Sequence, residues 1–104
     1  MTRGDIFRLR LPAGRGHEQR GPRYAVIVQA DELLGLSTAI VAPTSRSAAP
    51  ATFRPEVEID GETTCVLVEQ LRAVDLDRLY RHAGQLTLDE QRAVDAALEL
   101  VLAL

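Results

Sequence analysis

The chain has 104 residues, enough for one hydrophobic core and too few for two, and its 46% hydrophobic and 26% charged residues are the composition of an ordinary globular domain. It carries a net charge of −3 and no apolar run near the roughly 18 residues of a membrane span. The charged, alternating opening MTRGDIFRLR predicts no secretory leader, and a single Cys65 can form no internal disulfide, so a cytoplasmic location is expected.

The first strand is legible in the alternation of Ile6, Arg8 and Arg10 with Phe7, Leu9 and Leu11, ended by Pro12 and Gly14. Residues 12–22 read as a long loop rich in glycine, proline and charge. RYAVIVQ (23–29) is a continuous β-branched run, fit for a central strand buried on both faces. Asp31 is placed to cap one helical turn. STAIVAP (37–43) is a second apolar strand, and TSRSAAPAT after it reads as a small-residue loop.

EVEIDGETTCVLVEQ predicts a hairpin with strands near 55–59 and 64–68, because Asp60–Gly61 supplies the positive φ angles of a tight turn. LRAVD suits a short strand, LDRL a helical turn, and RHAGQL a last strand with Gly84 as a bulge. Thr87 and Glu90 form a capping box, and Val94, Ala97, Leu98 and Val101 then recur at helical spacing to about Ala103. Such a helix is roughly 25 Å long. Ala93, Ala96, Leu100 and Leu104 make a second apolar stripe, leaving Arg92, Asp95 and Glu99 as the wet seam.

Short strands closed by one amphipathic helix predict an α+β fold: a single domain over 1–104, built as a small curled antiparallel sheet or barrel with a C-terminal helix on it. The two-striped helix needs two covering surfaces, which predicts a homodimer. Charge divides along the chain: residues 1–55 hold eight arginines against four acids, or +4, and residues 56–104 hold four arginines against eleven acids, or −7. A basic face on an acidic protein is therefore expected.

Much chemistry has no foothold. His17 and His82 lie far apart, Cys65 in TCVLV suits a core, and nothing has zinc-ligand spacing. EIDGE is explained by its turn, so no metal site is expected. GRGHEQRG lacks the strand-then-helix frame of a phosphate loop, and four aromatic residues make a thin stacking platform for bases.

Four segments nonetheless stand in a specific order: RGDIFRLRL, GHEQRGPRYAVIV, VAPTSRS and VLVEQLRAVDLDRL. In that order they resemble the MazF/PemK toxins of bacterial type II toxin–antitoxin pairs, over nearly the whole chain. The resemblance implies an SH3-like barrel of the CcdB/Kid/MazF kind and a cofactor-free, metal-independent endoribonuclease that cuts single-stranded RNA at short sequences. It further implies a homodimer restrained by a MazE-like antitoxin, expected here as an acidic segment across residues 12–22 and 45–54.

By position, the family's essential arginine falls on Arg23 and its essential threonine on Thr44, while Glu18 and Gln19 match a loop glutamate and glutamine near the scissile phosphate. Arg20, Ser45, Arg46 and Gln70 complete the expected RNA contacts. The proline that usually follows the arginine is here Tyr24, with Pro22 before Arg23 instead. In this reading the RNA's 2′-hydroxyl is a tethered nucleophile, Arg23 meets the charge developing on phosphorus, Thr44 donates to the phosphate or orients the 2′-oxygen, and Glu18 accepts the proton. Two rivals share the fold: a CcdB-like gyrase-binding toxin, and a non-catalytic RNA- or protein-binding SH3-like module.

Overall fold

The computed structural model describes residues 1–10 and 23–104. Among these, β1 (Asp5–Leu9), β2 (Tyr24–Ile27) and β3 (Thr38–Ser45) form an antiparallel meander, with Ile6 opposite Val26 and Ala25 opposite Pro43. β4 (Glu56–Ile59) and β5 (Glu62–Val66) are a hairpin, β6 (Arg72–Asp75) and β7 (Leu79–Gln85) follow, and α1 (Leu88–Leu102) closes the chain. β7 pairs with the free edge of β1. No helix among the described residues is long and apolar enough to cross a membrane.

The curl of the sheet is made by β3. One edge lies along β2; the other pairs first with β6, from Thr38 opposite Asp75 to Val41 opposite Arg72, and then with β5, where Thr44 faces Val66 and Ser45 faces Cys65. A 3-10 turn, Val68–Gln70, lies between the two partners, and the Leu67 amide donates to the Pro43 carbonyl at 2.8 Å. The strand therefore runs through Thr44 and Ser45, where the sequence reading had placed a loop. Their backbone pairs with β5 because the hairpin supplies an edge that local composition does not announce.

Both faces of this sheet are covered. Ile6, Val26, Val66 and Val68 pack with Val94 and Ala97 of the helix, while Leu9, Ala25, Ile27, Val41, Val74 and Leu79 form a second cluster on the other face. All of β2 is buried, as its uninterrupted apolar run requires. The turn residues behave as their chemistry dictates: Asp60 and Gly61 take φ of 52° and 79°, the two positive values of a type I′ hairpin. The register between β1 and β7 slips beside Gly84, so the expected bulge is present. Gly4 is favoured by its backbone, since its φ of 92° is a conformation that other residues rarely adopt.

Two further expectations are corrected. The second hairpin strand ends at Val66, and Val68 begins the 3-10 turn. Asp31 begins its turn without capping it; its carboxylate accepts instead from the Arg3 amide at 2.6 Å. Asp95 keeps its place on the solvent-facing seam, its side chain 43% exposed, and accepts from Arg3 Nη2 and Gln91 Nε2 at 2.8 and 2.9 Å.

The capping box forms with both bonds, Glu90 N to Thr87 Oγ1 at 3.1 Å and Thr87 N to Glu90 Oε1 at 2.9 Å. Beyond it, one stripe is used: Val94 and Ala97 are buried and Leu98 and Val101 partly so. The second stripe stays in solvent, with Leu100 59% and Leu104 83% exposed.

Candidate active site

Side-chain parity sorts the candidate residues. Successive strand residues point to opposite faces, so Tyr24 and Val26 go with the helix-side cluster, and Ala25 and Ile27 with the other. Arg23, one residue before β2, continues the Ala25 and Ile27 stripe outward. On β3, Ala39, Val41, Pro43 and Ser45 share that face, whereas Ala42 and Thr44 point toward the helix side. Arg72 continues the stripe of Val74 on β6. Arg23, Ser45 and Arg72 thus share one face, at the end where β3 changes partners.

Arg23 is half-buried, and its Nε is enclosed without a hydrogen-bond partner among the described residues. Burial, and next the neighbouring Arg72, lower its pKa from the ordinary arginine value. It remains a cation throughout the physiological range. Two neighbouring guanidinium groups, one with a donor that no described residue engages, make a site that gains from an anion.

Thr44 is 3% exposed, and its hydroxyl donates to the Tyr24 carbonyl at 3.2 Å. That bond ties the ends of β2 and β3 together one residue from Arg23. Ser45 Oγ lies 3.2 Å from Ser47 Oγ and accepts from the Ser47 amide at 3.3 Å. Of the two hydroxyls, Ser45 has the parity of Arg23. Arg46 Nη1 is engaged by both Glu62 oxygens, at 2.6 and 2.7 Å, in an exposed pair that leaves its other N–H groups to solvent. Gln70 is exposed, its amide 3.4 Å from Glu69 Oε2. Glu18, Gln19 and Arg20 lie outside the described residues.

Tyr24 does not copy a proline. Its ring fills the helix-side core, its hydroxyl donates to Asp60 Oδ2 at 2.7 Å, and the Arg8 guanidinium lies 5.7 Å from its ring centre. The bond to Asp60, followed by burial, raises the phenol's pKa. The start of β2 is thereby fixed by a side chain anchored to the hairpin turn.

Two residues of the EQLR segment were overlooked as individual candidates. Arg72 is the neighbour of Arg23 just described. Glu69 binds Arg54, whose Nε donates at 2.9 Å and Nη2 at 2.5 Å, and its other oxygen is enclosed without a partner among the described residues. Arg54 in turn lies 5.4 Å from the Phe53 ring centre. The signal was the segment itself, whose Glu and Arg flank the glutamine that was named. Among the described residues, no three His, Cys, Asp or Glu side chains gather as metal ligands.

Comparison with known proteins identifies the family. Residues 2–102 match the family model described as PemK-like, MazF-like toxin of type II toxin–antitoxin system. The Mycobacterium tuberculosis protein Rv3098A is 41% identical over 108 residues, covering 100% of this chain and 99% of its own. Endoribonuclease EndoA of Bacillus subtilis is 34% identical over 111 residues, covering 100% and 96%. A mycobacterial endoribonuclease solved with its cognate antitoxin superposes with a TM-score of 0.83 at 17% identity, covering 100% of this chain and 96% of that one, which is a likeness of fold. The chain belongs to the PemK-like, MazF-like toxins of type II toxin–antitoxin systems.

Proposed function

We propose that this protein is the toxin of a type II pair and acts as an endoribonuclease, cutting single-stranded RNA at short sequences in the cytoplasm, as a homodimer held in check by an antitoxin. The observation that carries the reading is Arg23, a partly desolvated guanidinium whose Nε has no partner among the described residues, near a second arginine and on the face of the Ser45 hydroxyl. The similarity to EndoA supports the reaction type.

The RNA's 2′-oxygen attacks the adjacent phosphorus while the bond to the 5′-oxygen breaks. A base takes the 2′-proton, and the departing 5′-oxygen gains one. The products are a 2′,3′-cyclic phosphate and a free 5′-hydroxyl. The nucleophile is already in place, so the entropic cost of bringing it there is largely removed. The protein's task is to stabilise charge on the phosphoryl oxygens, which Arg23 performs from a rigid strand end. Ser45, better than Thr44, is placed to donate to the same phosphate; Thr44 holds the strand ends in register. Glu18 remains the proposed proton acceptor, with Gln19, Arg20 and Gln70 as RNA contacts. None of these steps calls for a metal.

Incubation of the pure protein with a long RNA tests the reading. Discrete cleavage by the wild type and its loss in Arg23→Ala are expected. Intact RNA with the wild type would refute a ribonuclease.

A further inference from the structure

Two sets of the described arginines contrast. Arg3, Arg46, Arg54 and Arg92 face carboxylates. Arg10, Arg72 and Arg78 have no ion pair with any described residue, yet they line one depression of about 220 Å³. Its floor is Leu9 and Val74, on the sheet face that Arg23 shares, and Asp75 is the one carboxylate in its wall.

The three come from separate elements and are held together by the backbone. Arg10 follows β1, Arg72 begins β6, and Arg78 lies in the 3-10 turn Leu76–Arg78. The Arg10 amide donates to the Arg78 carbonyl at 2.8 Å, and Arg78 Nη1 is 3.4 Å from the Arg10 carbonyl. The Arg10 guanidinium lies 4.8 Å from the centre of the Tyr80 ring, a contact that limits its freedom. Arg72 joins the depression to Arg23, whose pKa it lowers. Two of the three arginines belong to the half of the sequence with a balance of −7, so folding concentrates positive charge that the linear sequence conceals.

Three like charges around one depression with a single described carboxylate in its wall oppose folding, and a chain with 15 acids had more carboxylates to offer. Planar guanidinium forks from residues lining one depression suit a phosphate better than a flexible carboxylate chain. We propose that Arg10, Arg72 and Arg78 form a second phosphate subsite, which seats an RNA backbone phosphate flanking the one met by Arg23. This rests on the ribonuclease reading and extends it: the subsite sets affinity and the direction of the strand away from the cut.

The test is binding of a random pool of twelve-nucleotide RNAs, 2′-fluoro throughout so that no strand can be cut, as a function of salt. Each phosphate contact on a single strand contributes about 0.7 to the slope of log affinity against log salt. The triple variant Arg10→Gln, Arg72→Gln, Arg78→Gln should lose about 2 from that slope, while Arg92→Gln, on the far helix, keeps it. Thermal unfolding of both variants serves as the control for folding. An unchanged slope in the triple variant, with wild type still cutting long RNA, overturns the subsite and leaves the ribonuclease standing. Absence of pool binding and of cleavage by wild type would overturn both. If the triple variant lost affinity only for a polyglutamate peptide, the arginines would belong to an acidic protein partner and the subsite would fall.

Discussion

The Thr44 hydroxyl donates to the Tyr24 carbonyl at 3.2 Å, while the next residue, Ser45, faces the side of the sheet where Arg23 projects. Adjacent hydroxyls in one strand are thereby given different tasks. Thr44→Val keeps the shape and removes the donor, and should cost about 1 kcal/mol in urea unfolding, the scale of one buried hydrogen bond. Ser45→Ala should leave stability nearly unchanged and slow cleavage by about a hundredfold. The reverse pattern, stable Thr44→Val with cleavage lost and Ser45→Ala fully active, would return the catalytic role to Thr44.

Arg54 and Glu69 join the segment after β3 to the turn beside it. The guanidinium bond, the largest influence, holds the Glu69 carboxyl below its ordinary range against the opposing effect of burial. A depressed pKa in the folded state means that the pair stabilises above the unfolded value of about 4.3 and stops doing so as pH falls through the folded one. Glu69→Gln should therefore lower the urea midpoint near neutral pH, and by less at about pH 3. An equal deficit at both pH values would show that the pair's charge is not what matters.

The helix cap offers a local check. Thr87→Ala removes the acceptor for the Glu90 amide and should destabilise by about 1 kcal/mol. Glu90 also accepts from the Glu58 amide at 2.8 Å, so Glu90→Ala should cost more than Thr87→Ala in the same urea titration.

Much of this was legible in the sequence because local chemistry and tertiary context agree. Asp60–Gly61 demands its turn, Thr87 and Glu90 demand their cap, and RYAVIVQ is too apolar to lie at a surface. What escaped was long-range. Nothing near Thr44 shows that β5 will pair with it, and parity could not be assigned to Ser45 until the strand was known to continue. Arg72 and Arg78 sit in an acidic half, so their convergence with Arg10 exists only in the fold. The resemblance pointed to Arg23 by motif; that its Nε has no partner among the described residues, and that Arg72 is its neighbour, required the fold.

Exposed apolar residues at the C-terminal end of the chain carry a prediction about assembly. Leu102 and Leu104 line a groove of about 430 Å³ together with Leu33 and Ile40, and all four are at least 43% exposed. If a second copy covers this surface, the wild type sediments as a dimer at tens of micromolar and Ile40→Asp as a monomer. A monomeric wild type at that concentration would contradict the proposed homodimer.

The central claim is that RNA supplies its own nucleophile and Arg23 stabilises the resulting charge. The most direct measurement is cleavage, in EDTA, of paired RNA substrates that differ only in the 2′-hydroxyl at the scissile nucleotide, with wild type and Arg23→Ala. The account predicts that wild type cuts the ribose substrate to a 2′,3′-cyclic phosphate, leaves the 2′-deoxy substrate intact, and exceeds Arg23→Ala by about a hundredfold. Cleavage of the 2′-deoxy substrate, or full activity in Arg23→Ala, would contradict it.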